Sequence, residues 1–136
     1  MSDESSIRVL CVDDHSLMRE GIAAIINNQS DMLLAAEASN GHEAIQRFRE
    51  HLPDVTLMDL RLPDISGIDA LIAIRKEFAN ARIVMLTTYE ENVEIRRALK
   101  AGACGYLLKS MPPKELVEAI RQVHQGKKRI LMELAA

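Results

Sequence analysis

The sequence is short of everything that would tie it to a membrane, an oxidising compartment or a polyanion. It has two cysteines in 136 residues, Cys11 and Cys104. Two cysteines in apolar, strand-like contexts make neither a disulfide framework nor a metal site. They read as buried, reduced thiols of a cytoplasmic protein. No apolar run approaches the roughly 20 residues of a membrane span. The opening stretch 1–6 is acidic and polar, unlike a signal peptide, and reads as a short disordered lead-in. An excess of positive charge is missing too. Seventeen Lys and Arg against 20 Asp and Glu leave a net charge of −3, so no whole-chain field attracts nucleic acid. Internal repeats and low-complexity segments are absent. The four histidines (His15, His42, His51, His124) show no ligand spacing and read as solvated or locally bonded.

What is present is a regular alternation. Hydrophobic residues at 48% and charged residues at 27% fit one soluble domain with a real core. Strand candidates fall at 7–12, 32–38, 54–58, 82–86 and 104–108. The first, third and fourth are near-continuous apolar runs, as buried parallel strands are. Helix candidates fall at 15–27, 41–50, 67–78, 91–101 and 113–125. Leu17, Gly21, Ala24 and Ile25, with Ile22 beside them, predict the apolar face of the first. Leu116, Ala119, Ile120 and Val123 predict that of the last. Asn40 with Glu43 forms a potential capping box, and Ser66 a potential N-cap. Gly102 suits a left-handed helix end, and Pro112-Pro113 a helix start. Five such units imply an α/β, doubly wound parallel sheet with helices on both faces. The stretch 126–136 breaks the pattern. Gly126 closes the fifth helix, three cations follow, and the apolar tail has no sheet left to join.

In a parallel sheet the strand carboxyl ends share one edge, where ligands bind. Asp13 and Asp14 follow the first strand and Asp59 the third. Two such charges about 4 Å apart repel by about 4 kcal/mol at an effective dielectric of about 20. A hard cation such as Mg²⁺, which takes oxygen ligands and keeps several waters, is the compensation this pattern calls for. Thr87 (with Thr88 beside it as the alternative register) follows the fourth strand and Lys109 the fifth. A carboxylate oxygen can attack phosphorus to give an aspartyl phosphate. A cation and an ammonium can neutralise a transferring phosphoryl group. A hydroxyl can donate to that group once it has arrived.

These residues carry a family resemblance. Val12-Asp13-Asp14-His15, Leu57-Met58-Asp59-Leu60-Arg61-Leu62-Pro63, Gly67, Leu86-Thr87-Thr88 and Gly102-Ala103-Cys104-Gly105-Tyr106-Leu107-Leu108-Lys109 resemble the receiver (CheY-like) domain of bacterial two-component response regulators. The resemblance covers about 7–125 and implies the strand order 2-1-3-4-5. It implies Asp59 as phosphoacceptor and Lys109 and Thr87 as phosphate contacts. It further implies Mg²⁺, with Mn²⁺ as a substitute, bound by Asp14, Asp59 and the Arg61 backbone carbonyl, with Asp13 acting through water. Thr87 and Tyr106 become a switch pair acting on the face of helix four, strand five and helix five. Arg61 and Tyr89 flank the pocket. Many receivers follow the lysine with a cis-proline; Ser110 stands there instead. The blocks from Asp14 to Gly21, from Gly105 to Lys109 and from Val123 to Gly126 resemble LuxR/FixJ-type (NarL-like) regulators. In that subfamily 126–136 would begin a linker to a helix-turn-helix DNA-binding domain, absent here.

The resemblance implies a sensor histidine kinase as phosphodonor and a homodimer on phosphorylation. DNA would be reached only through the absent domain, and no membrane contact is expected. A stand-alone receiver signalling by protein contact is the alternative. A Mg²⁺-dependent phosphohydrolase is more distant, because the second acid that it needs is replaced by Arg61. A flavodoxin-like binding module would need a phosphate loop where Asp13-Asp14-His15 stands.

Overall fold

The computed structural model describes residues 6–88 and 92–130. Its elements are β1 (Ile7–Val12), α1 (Ser16–Asn27), β2 (Met32–Ala38), α2 (Gly41–His51), β3 (Val55–Asp59), α3 (Gly67–Glu77), β4 (Ile83–Thr87), α4 (Asn92–Lys100), β5 (Gly105–Leu108), α5 (Pro113–His124) and β6 (Arg129–Ile130). The strands pair in parallel in the order β2-β1-β3-β4-β5-β6. The expected order 2-1-3-4-5 is present, with one strand added. Residues 1–5, Tyr89 and 131–136 lie outside the described residues, and with them most of the expected lead-in and part of the expected linker.

Alternation along each strand sorts the core into two layers. Leu10, Val12, Met58, Ile83, Met85 and Tyr106 face α2, α3 and α4. Val9, Cys11, Leu57, Val84, Leu86 and Leu107 face α1 and α5. Each fully buried branched or aromatic side chain of this kind contributes about 1.5–3 kcal/mol. Only a sheet covered on both faces can bury every residue of β3 and β4.

Caps fix where helices begin. The Asn40 side chain accepts from the Glu43 amide at 2.8 Å. The Glu43 carboxylate reaches back to the amide of Ser39 rather than of Asn40, so the capping box closes one residue further out. Ser66 accepts from the Asp69 amide at 3.1 Å. Gly102 has φ +105, a left-handed end to α4 that other residues adopt with strain.

Two expectations are corrected. The inward face of α1 is Met18, Ile22, Ile25 and Ile26, whereas Leu17 is 79% exposed. Gly21 and Ala24 are exposed with it. The stripe containing Ile22 and Ile26 carries more branched volume, and the sheet takes that one. The tail does find a strand to join: Arg129 and Ile130 pair with Gly105 and Tyr106 on the free edge of β5. Two residues, the first of them the last of the three cations, carry no period of their own, so that strand exists only through its partner.

Candidate functional site

The site forms where β1, β3, β4 and β5 end. Asp13 follows β1 directly, and its amide donates to the Ala38 carbonyl at the end of β2. Asp59 closes β3, and the next amide, of Leu60, donates to the Leu86 carbonyl of β4. The Lys109 amide donates to the Thr87 carbonyl at 2.7 Å. Each loop is thus tied to the neighbouring strand as it leaves the sheet, and the side chains converge.

Gly67 makes that convergence possible. A Cβ on it would stand 2.1 Å from the Asp59 carbonyl oxygen, and its amide donates to the Leu60 carbonyl at 2.8 Å. The first turn of α3 therefore rests directly on the backbone of the acid.

Asp13 and Asp59 are buried, at 1% and 4% exposure. Lys109 Nζ lies between them, 2.7 Å from Asp13 Oδ2 and 2.9 Å from Asp59 Oδ2. The approach to Asp59 is a hydrogen bond. The contact with Asp13 Oδ2 compensates its charge without hydrogen-bond geometry. Asp59 Oδ1 accepts from the Arg61 amide at 3.2 Å. Asp13 Oδ1 accepts from the His15 amide at 2.8 Å and contacts the His15 ring at 3.0 Å.

The two buried acids respond in opposite ways. Burial alone would raise both. At Asp13 the Lys109 ammonium and the His15 amide outweigh it and hold the carboxyl below its ordinary range. At Asp59 burial prevails over Lys109, with the Asp13 charge adding to it, and the carboxyl is pushed up. Burial works against the Lys109 ammonium as well, but its two carboxylate partners raise it. Burial pushes the nearby Cys11 thiol up to about 12, which removes it as a nucleophile.

The structure brings together most of the expected residues. Ligand-capable atoms of Asp13, Asp14, His15 and Asp59 all lie within 4.8 Å of one another. Three carboxylates in that space suit a hard divalent cation such as Mg²⁺, so the residues fit the ion that the resemblance implies. Thr87 is buried at the end of β4, and Thr88 after it is exposed. Tyr106 is fully buried on the side of the sheet that carries α4. Arg61 is exposed, and its amide is tied to Asp59. Among the described residues there is no cis peptide, so Lys109–Ser110 is trans.

Three residues escape the sequence reading. His15 stands among the acids despite lacking any ligand spacing. Arg19 donates to the Asp13 carbonyl oxygen and pairs with Glu37 at 3.3 Å, so Glu37 of β2 anchors the side chain that holds the Asp13 backbone. Asp64 accepts from the Gly41 and His42 amides at 2.8 and 2.9 Å and ties the β3–α3 loop to the start of α2. The adjacency of His15 to two aspartates was the one signal available.

Comparison with known proteins agrees with this geometry. The chain is 42% identical over 124 residues to the uncharacterized transcriptional regulatory protein YxjL of Bacillus subtilis, covering 91% of this chain and 57% of that protein. It is 39% identical over 121 residues to the response regulator protein VraR of Staphylococcus aureus, covering 89% and 58%. The chain therefore spans less than two thirds of the curated relatives it matches. The structure of a LuxR-family two-component response regulator from Aurantimonas superposes with a TM-score of 0.91 at 37% identity, covering 96% of this chain and 94% of that one. No described helix is long and apolar enough to cross a membrane. The model of the response regulator receiver domain family matches residues 9–121, and the chain belongs to that family.

Proposed function

We propose that Asp59 is the phosphoacceptor of a phosphorylation-switched signalling module. The observation that carries this reading is the Lys109 ammonium held between Asp13 and Asp59 beside the Asp14 carboxylate. Such an arrangement gives an incoming phosphoryl group a nucleophile, a resident cation and a place for a second one.

The phosphodonor is a phosphohistidine of a sensor histidine kinase. An Asp59 carboxylate oxygen attacks phosphorus, the P–N bond breaks, and its electron pair leaves with the imidazole, which takes up a proton. Lys109 turns from the carboxylate towards the new phosphoryl oxygens. Asp14, Asp59 and the Arg61 carbonyl would hold Mg²⁺, with Asp13 acting through water, and the ion would supply charge neutralisation at those oxygens; Mn²⁺ would be a substitute. The chain promotes its own phosphorylation and dephosphorylation and turns over no separate substrate.

The phosphoryl group adds about −1.5 to −2 charges at neutral pH. Thr87 donates to it, Tyr106 follows, and the face of α4, β5 and α5 changes. In the full-length relatives of LuxR type, such a face would act on a DNA-binding domain, with dimerisation on phosphorylation.

Acetyl phosphate with Mg²⁺ tests the reading by intact mass. Wild type is expected to gain one phosphoryl group, and Asp59→Asn none. Equal labelling of both would remove Asp59 from the role.

A further inference from the structure

The β1–α1 loop sets an imidazole among the acids. His15 Nδ1 lies 3.0 Å from Asp13 Oδ1 and 3.1 Å from Asp14 Oδ1. We propose that His15 is a nitrogen ligand that lets this site take borderline divalent cations such as Ni²⁺ and Co²⁺ as well as Mg²⁺. The proposal rests on the metal-site reading above and deepens it, from an all-oxygen pocket to a mixed one.

Donor chemistry makes the difference. Mg²⁺ prefers oxygen and gives up its waters reluctantly. Imidazole suits Co²⁺, Ni²⁺ and Zn²⁺, and affinity for such sites rises from Mn²⁺ through Co²⁺ and Ni²⁺ to Cu²⁺ before falling at Zn²⁺. A site with three carboxylates and no nitrogen would discriminate weakly among these ions. One imidazole added to the set favours the later metals.

The geometry divides Asp13 between two partners. Lys109 holds Oδ2 from the buried side, and the His15 ring meets Oδ1 from the other. Asp14 Oδ1 meets the same ring nitrogen. A nitrogen flanked by two carboxylate oxygens, which can only accept, carries its hydrogen at that position. The ring is therefore already aimed where a cation would take the place of that hydrogen. The hydrogen can move to Nε2 through solvent, since the side chain is 69% exposed.

His15 is not needed to build the loop. It occupies the N-cap position of α1, but its side chain makes no capping bond. The Asp13 carboxylate is held by the His15 backbone amide, which any residue but proline provides. His15→Ala should therefore keep the fold and remove the nitrogen alone.

The test is calorimetric titration of the metal-stripped chain with Ni²⁺ and, separately, Mg²⁺. Wild type, His15→Ala and Asp14→Asn are compared. In His15→Ala, Ni²⁺ affinity at this site should fall at least tenfold, roughly the least that losing even an outer-shell partner costs a metal site. Mg²⁺ affinity should stay within about twofold, because Mg²⁺ keeps water where the imidazole stood. The visible absorption of bound Co²⁺ should shift as nitrogen gives way to oxygen. Asp14→Asn should weaken both metals and so separate this site from Ni²⁺ held by other histidines. Unchanged Ni²⁺ binding in His15→Ala, with both metals lost in Asp14→Asn, would overturn the nitrogen ligand and leave the acid site standing. A parallel fall in Mg²⁺ and Ni²⁺ would overturn it as well, since His15 would then be acting on the acids. Wild-type binding of both metals by Asp14→Asn would overturn the metal site itself.

Discussion

Lys109 Nζ donates to Asp59 Oδ2 across 2.9 Å, yet the carboxyl it contacts is still pushed towards its neutral form by burial. One ammonium is shared between two buried acids, and it outweighs burial only at Asp13, where the His15 amide adds to it. Because the folded state binds the Asp59 proton more tightly than the unfolded chain does, ionised Asp59 destabilises the metal-free fold. The penalty is absent in acid, grows as pH rises from the unfolded value towards the raised folded one, and is complete above it. In EDTA at neutral pH, Asp59→Asn should therefore show a higher urea midpoint than wild type. The gap should close as pH is lowered through the carboxylate range. Saturating Mg²⁺ should narrow it by stabilising wild type. A lower midpoint for Asp59→Asn at neutral pH would contradict the burial argument.

Gly67→Ala should cost stability and phosphorylation together. The added Cβ would lie 2.1 Å from the Asp59 carbonyl oxygen, which is backbone and cannot rotate away. Overpacking of this kind costs about 1–3 kcal/mol. Either α3 lifts or the end of β3 shifts, and both move the acid. Thermal unfolding and acetyl phosphate labelling, measured on one preparation, check the coupling. A variant with lowered stability and wild-type labelling would show that the start of α3 can move without Asp59.

Thr56→Val should stabilise the protein. Thr56 is fully buried in β3, and its Oγ1 has no hydrogen-bond partner. Valine has nearly the same shape and removes an unsatisfied hydroxyl worth about 1 kcal/mol or more. For a domain of this size that corresponds to a rise of about 3 °C in Tm. No rise, or a fall, in a calorimetric scan would mean that the hydroxyl is satisfied in solution.

Asp64→Ala should loosen α2. Asp64 accepts from the first two amides of that helix and contacts the His42 ring. Burial opposes its ionisation, but the amide donors outweigh it and hold the carboxyl well below its ordinary range. A depressed folded value stabilises above the unfolded value and is lost as pH falls towards the folded one. Removing such a cap costs about 1 kcal/mol. The loss should be present at neutral pH and shrink in acid. Amide exchange at Gly41 and His42 should speed up in the variant. Unchanged exchange there would leave Asn40 as sufficient cap.

The sheet and its ligand edge were legible because burial and polarity changed abruptly at each strand end. Val84-Met85-Leu86 gives way to Thr87, and Tyr106-Leu107-Leu108 to Lys109, so each apolar run stops at a polar residue that marks the edge of the sheet. Boundaries moved by about one residue, because Asp59 and Thr87 still pair as strand although they are polar. Leu17 was misassigned because two stripes on α1 each carry apolar residues, and only the sheet selects between them. β6 and the Arg19 anchor were invisible for a different reason. Both are defined by partners distant in sequence, Gly105 and Glu37, and no local period records a partner.

β6 gives the chain a direction. It runs parallel to β5 and pairs beside Tyr106, so at Ile130 the backbone is heading for the same rim of the sheet that holds Lys109. It also pairs with the main chain of Tyr106, the residue proposed to follow Thr87 when the phosphoryl group arrives. A shift of β5 that accompanies a Tyr106 movement would be passed on as a pull on the following residues, with no side chain needed as messenger.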